Sequence, residues 1–221
     1  QIPQNTTFLD KANRKVDFTP GVNSFRFSVL PSLPQADSTS DLELKSIIKS
    51  LTNYLNRNDL AVGLDTKVAE AFADWKKPLV VTGKEYGTYN FKNSSFIRLD
   101  VSEGGLRRSD PAEWIWLFEE LDKLPGSNIF IAMNGDPADF INAKEAQLLK
   151  DTLAAYRKDT GKNVWVFYPG ASNRSELDRG VRYISTTDFS KAETSVENPE
   201  KVTYLEVTVR GNDLTFEFLS F

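Results

Sequence analysis

An α/β fold in one domain is what this sequence predicts: a largely parallel core finished by antiparallel strands. Three observations carry that expectation. Apolar, strand-like runs alternate with helix-period segments over most of the chain, which is the pattern of β-α-β units. The C-terminal part is β-rich and has no helical segment. The chain has 221 residues, 40% hydrophobic and 26% charged, which is ordinary for a globular protein and long enough to enclose one large core.

Residues 1 to 22 are polar and broken by Pro3, Pro20 and Gly21, so they read as an arm or linker ahead of a domain over 23–221. "SFRFSVL", Ser24 to Leu30, alternates Phe25, Phe27 and Val29 and then turns wholly apolar, as a strand entering a buried sheet does. After a loop in which Asp41 is a candidate cap, a helix over about 42–56 spaces Leu44, Ile47, Ile48, Leu51 and Leu55 by threes and fours. "DLAVGL" completes the first unit, and "KPLVVTG" and "SSFIRLDV" give two more strands. In "SDPAEWIWLFEELDKL", Ser109 is the expected cap, Pro111 sits in the first turn, and Trp114, Leu117, Phe118 and Leu121 are the expected core face. "NIFIAMN" is a strand, "NAKEAQLLKDTLAAYRKDTG" is a helix closed by Gly161, and "NVWVFYPG" is the next strand. "VRYIST", "YLEVTVRG" and "LTFEFLSF" end the chain, with "RGND" as a hairpin turn. No internal repeat is present.

Composition excludes several functions. A net charge of −4 with no basic stripe argues against nucleic acid as a partner. No apolar run is long enough for a membrane-spanning helix, so no membrane insertion is expected. Cys and His are both absent, which removes thiolate and Ser-His-Asp nucleophile sites and the usual ligands of zinc, iron and copper. The chain opens at Gln1 with neither an initiator Met nor a signal segment, and therefore reads as a piece of a longer or processed protein.

In a parallel sheet, function gathers where the strands end. Five such tips are Pro31-Ser32-Leu33, Asp65-Thr66, Gly83-Lys84-Glu85-Tyr86, Asn134-Gly135-Asp136-Pro137 and Gly170-Ala171-Ser172-Asn173, and they are expected to converge on one rim. With "YNFKNSSFIRLDVSEGGL" and "DPAEWIWLFEELDK" between them, this order of tips resembles the calcineurin-like metallophosphoesterase domain. That resemblance implies a four-layer α/β/β/α sandwich of mixed sheets, with two metals at the strand tips. In the family the tips read D-x-H, G-D, G-N-H-[DE], a lone His and G-H-x-H. Here Pro31-Ser32-Leu33 falls on the first, and Asp65-Thr66 on the second, with Thr66 in the place of the bridging Asp. Lys84 and Glu85 replace Asn and His, Asn134 replaces the lone His, and Gly170-Ala171-Ser172-Asn173 replaces the last motif. Gly83 and Gly170 remain, as the glycines that turn their loops.

The resemblance therefore implies an emptied site, with no metal and no cofactor, because a phosphoesterase pair needs about four to six nitrogen or oxygen ligands per ion. Other readings stay open. Asp65, Glu85 and Asp136 could hold one Ca²⁺, or be ordinary loop carboxylates. Asp65, Glu85, Asn134 and Asp136 could form a rebuilt oxygen-ligand or metal-free site of a phosphoester hydrolase, or supply the paired acids of a glycosyl hydrolase. Lys84 with Arg107, Arg108 and Arg174 could hold an anion, or be scattered surface cations. Trp116, Tyr86 and Tyr168, with Lys84, Ser172 and Asn173, are the candidate surface for an unidentified protein or glycan partner. Sequons at Asn5, Asn93 and Asn173 matter only in a eukaryotic secretory pathway. The preferred expectation is a catalytically inactive structural or binding module of a larger bacterial protein, extracellular or in the cell envelope.

Overall fold

The computed structural model describes residues 8–9, 15–16, 23–31, 41–83, 85–187 and 203–220. Of the N-terminal arm, β1 (Phe8–Leu9) and β2 (Lys15–Val16) form a small antiparallel ladder, and the rest lies outside the described residues. The chain then runs β3 (Ser24–Leu30), α1 (Asp41–Leu55), β4 (Leu60–Gly63), α2 (Thr66–Ala71), β5 (Leu79–Val81), β6 (Gly87–Phe91), β7 (Ser94–Leu99), α3 (Leu106–Ser109) and α4 (Pro111–Leu121). It continues through β8 (Asn128–Met133), a 3₁₀ turn (Pro137–Asp139), α5 (Ala143–Thr160), β9 (Asn163–Gly170), β10 (Arg174–Asp178), β11 (Val181–Thr187), β12 (Thr203–Arg210) and β13 (Asp213–Ser220).

The strands make two mixed sheets. One is six-stranded in the order β10-β11-β9-β8-β7-β6, parallel from β11 to β7 and antiparallel at both edges. The other is five-stranded in the order β13-β12-β3-β4-β5, with β3, β4 and β5 parallel and the C-terminal hairpin antiparallel beside them.

Side-chain alternation along the strands builds the layers. Phe25, Phe27 and Val29 of β3 face Phe96, Phe130 and Phe167 of the other sheet, in a core between the sheets. The next residues along, Ile97, Leu99 and Val166, face outward and are covered by Leu117 and Leu121 of α4 and Leu149 and Leu153 of α5. On the opposite outer face Leu30, Ala61 and Tyr204 pack under Leu51 and Leu55 of α1 and Val68 of α2. The result is a four-layer α/β/β/α sandwich, as expected.

At the end where β7, β8 and β9 begin, asparagines fasten the sheets together. Asn93 and Asn128 each donate from Nδ2 to the Gly211 carbonyl at 2.8 Å. Asn163 donates to Asn128 Oδ1 and to the Asn212 carbonyl, both at 2.8 Å. This belt clamps the β12–β13 turn to the first residues of the six-stranded sheet, and it gives the turn carbonyls partners away from water.

Several local expectations are corrected. Phe118 is 47% exposed, because the buried stripe of α4 is Glu113, Trp114, Leu117 and Leu121; the Phe118 ring stacks on Trp114 from the solvent side at 5.5 Å. Asp110, and not Ser109, caps α4 by accepting from the Ala112 N–H at 2.9 Å, while Ser109 closes α3. Asp41 is the first residue of α1, and its side chain lies outside the described residues. The strands β6 and β10 and the short helices α2 and α3 were not expected from the sequence.

Candidate functional site

The strand tips do share one end of the sandwich. Since β12 runs antiparallel to β3, its first residue, Thr203, lies beside the C-terminal end of β3. Asn173, just beyond β9 in the other sheet, donates to Thr203 Oγ1 at 2.7 Å. Its Oδ1 accepts from the Thr187 N–H at 2.9 Å and the Thr187 hydroxyl at 3.2 Å, so Asn173 ties the ends of β9, β11 and β12 together.

Around this rim the polar candidates among the described residues serve the local backbone or adjoining strand ends, Glu85 excepted. Asp65 caps α2 by accepting from the Lys67 N–H at 3.0 Å, with Thr66 Oγ1 also near it at 3.3 Å. Asp136 caps the 3₁₀ turn through the Ala138 N–H at 2.8 Å. Asn134 accepts from the Val101 N–H at 2.7 Å and donates to Asp100 Oδ1 at 2.9 Å, which locks the tips of β7 and β8 to each other. Glu85 is 82% exposed at its side chain and only loosely paired with Arg98 at 3.7 Å. Ser172 is exposed, and its carbonyl accepts from the Ser185 hydroxyl at 2.8 Å. Lys84, Ser32 and Leu33 lie outside the described residues. Gly83 and Gly170 are glycines for want of room and do not turn their loops with positive φ: a Cβ would stand 2.3 Å from Thr66 Cγ2 and 2.7 Å from Ser185 Cβ, respectively.

The aromatic candidates divide into two places. The Tyr86 and Trp116 rings lie 4.8 Å apart, and Tyr86 donates its hydroxyl to Asp110 Oδ2 at 3.3 Å. Desolvation first, then the Asp110 charge, raises the Tyr86 pKa above the usual phenol value. Trp116 packs partly buried against the outer core of the six-stranded sheet. Tyr168 is half-buried at the end of β9, where burial and then Asp136 and Glu176 push its pKa to about 12. Both phenols are therefore neutral at physiological pH, and the Tyr86 proton is engaged by Asp110. Of the candidate cations, Arg174 pairs with Glu176 at 2.8 Å, and Arg108 donates to the Glu103 carbonyl at 3.0 Å.

The residues that sequence reasoning missed lie just under the rim. Asp100, buried at the end of β7, accepts from the Ser102 N–H at 3.0 Å as well as from Asn134. Glu113, fully buried, accepts from the Asp100 N–H at 2.8 Å through Oε1. Glu145 accepts from the Arg107 N–H and the Trp114 indole N–H, both at 2.7 Å. Each glutamate is the third residue of its helix. Each turns away from its own helix end to bolt that helix to another element. A signal was present: Glu113, Leu117 and Leu121, like Glu145, Leu149 and Leu153, repeat every four residues on a buried stripe.

The comparisons with known proteins come from structure. No protein-family model matches the chain, and no curated protein does. Among solved structures, the chain is similar to GAP50, the anchor in the inner membrane complex of Plasmodium, with a TM-score of 0.54 at 11% identity over 90% of this chain and 85% of that one. A conserved uncharacterized protein of Streptococcus pneumoniae, a predicted phosphoesterase, aligns with a TM-score of 0.46 at 9% identity over 89% of this chain and 90% of that one. Vps29 of Entamoeba histolytica, in a complex with zinc, aligns with a TM-score of 0.39 at 8% identity over 88% of this chain and 98% of that one.

Proposed function

We propose that the chain is a metallophosphoesterase-like module that catalyses no metal-dependent hydrolysis, and that it serves as a structural or binding domain of a larger bacterial protein, secreted or held in the cell envelope. The observation that carries this reading is how the rim side chains are used. Asp65, Asn134, Asp136 and Asn173 each accept backbone N–H groups of their own loops or of the adjoining strand end. A two-metal centre needs several convergent donors with free lone pairs, so that the ions can activate water and clamp phosphoryl oxygens. Among the described residues no group of three or more Asp or Glu is placed to hold a metal ion. The rim instead offers aromatic bodies with polar tips, Tyr86 beside Trp116 and, separately, the neutral phenol Tyr168, a chemistry suited to a glycan or protein surface.

The test is thermal unfolding of the purified chain with and without Mn²⁺, Zn²⁺ or Ca²⁺, run beside a phosphodiester hydrolysis assay with each metal. A ligand of the native state raises the melting temperature by mass action, so a working site registers even when its affinity is modest. The expected outcome is no shift and no turnover. A saturable shift with hydrolysis that Glu85→Ala or Asp65→Ala abolishes would replace this reading with that of a rebuilt hydrolase.

A further inference from the structure

Four strands end the two sheets, and β13 differs from the other three. An open sheet edge is a template for another strand, and proteins blunt it by shortness, charge, proline or a bulge. β5 is three residues long, β6 only five, and β10 carries Arg174, Glu176 and Asp178 in its five residues. β13 runs for eight residues without proline, and its ladder with β12 continues one to one from Asp213 to Ser220 with no bulge. Among the described residues nothing pairs with its other side. Its inward row, Leu214, Phe216 and Phe218, is partly buried against the core between the sheets, and Phe216 is already held edge-on to Trp165 at 5.7 Å.

We propose that β13 pairs antiparallel with β13 of a second copy of the chain, across a twofold axis at Phe216, so that the five strands of each copy join into one continuous sheet. Antiparallel partners put facing side chains on the same side of the sheet, so only a register that sets inward residues against inward ones keeps the apolar row together. Four such registers pair at least five of the eight residues of the strand. Centred on Thr215, Asp213 faces Glu217 of the second copy, and like charges directly opposite are destabilising. Centred on Glu217, the two Glu217 side chains meet, each already beside Glu206 on β12. Centred on Phe216, Leu214 faces Phe218, Thr215 faces Glu217, Asp213 faces Leu219, and no like charges meet. Centred on Phe218 no like charges meet either, but only residues 216–220 pair, so the Phe216 register, which pairs 213–219, is the longest one free of like-charge contacts, and the Phe216 rings, already ordered, lose little freedom on pairing.

The test is sedimentation of the purified chain over a wide concentration range, alone and as two variants at Thr215, an exposed position. In the Phe216 register each position 215 faces Glu217 of the other copy, twice per dimer. Thr215→Lys is therefore expected to tighten the dimer several-fold, and Thr215→Glu to loosen it several-fold. Far-ultraviolet circular dichroism checks that both variants fold. A chain that stays monomeric throughout overturns the proposal, as does a dimer indifferent to both substitutions, which would place the interface elsewhere. Neither result bears on the metal titration, so this inference and the inactive-module reading stand or fall separately.

Discussion

Glu113 shows what a single buried carboxyl does to this molecule. Desolvation raises its pKa from 4.5 to about 8; the Asp100 N–H pulls the other way, and the Asp100, Asp110 and Glu145 charges add to the rise. In the folded chain it is thus protonated at neutral pH, whereas in the unfolded chain it ionises near 4.5. A raised carboxyl gives a contribution to stability that is full below the unfolded pKa, declines as pH rises towards 8, and is flat above that. Glu113→Gln keeps an acceptor for the Asp100 N–H and never ionises. It is therefore expected to melt above the parent at pH 9, with a margin that closes as the pH falls towards 4.5; a margin constant with pH would count against this account. Sequence alone shows Glu113 on an apolar stripe but not what it bonds, because the partner N–H is supplied by a strand end outside its helix. The same holds for Asn134 and Asn173, whose partners are fixed only once the sheets assemble.

Among the elements, legibility followed burial. β8 is buried throughout, β3 and β9 each carry a run of four buried residues, and α5 carries its own start and stop signals, so local pattern is enough to place them. β6 and β10 are edge strands with mostly exposed or half-exposed residues, and an edge that buries little leaves no period to read. The α5 stop is sharp: Gly161 takes the left-handed conformation at φ 71° and donates its N–H to the Arg157 carbonyl. A Cβ there is strained, so Gly161→Ala is expected to cost about 1 kcal/mol. This would appear as a lower denaturant midpoint with unchanged slope; a midpoint equal to the parent's would show that the cap relaxes without cost.

For the whole molecule, the sandwich depends on contacts that no local pattern encodes. β12 lies beside β3 although most of the chain separates them, and the division of the strands between two sheets was expected only from the resemblance. Phe27, fully buried, has its ring within 6.1 Å of the rings of Phe25, Phe96, Phe130 and Phe167, drawn from both sheets. Phe27→Ala is expected to cost about 3–5 kcal/mol, read by chemical denaturation, and a loss under 1 kcal/mol would mean that the two sheets close over the gap. The asparagine belt fixes the sheets at the end away from the strand tips, and it does so with side chains that no tip loop contributes. Mutational tolerance should therefore be lopsided along the strand axis. Loops at one end can be rewritten for new recognition while the joint at the other end preserves the architecture.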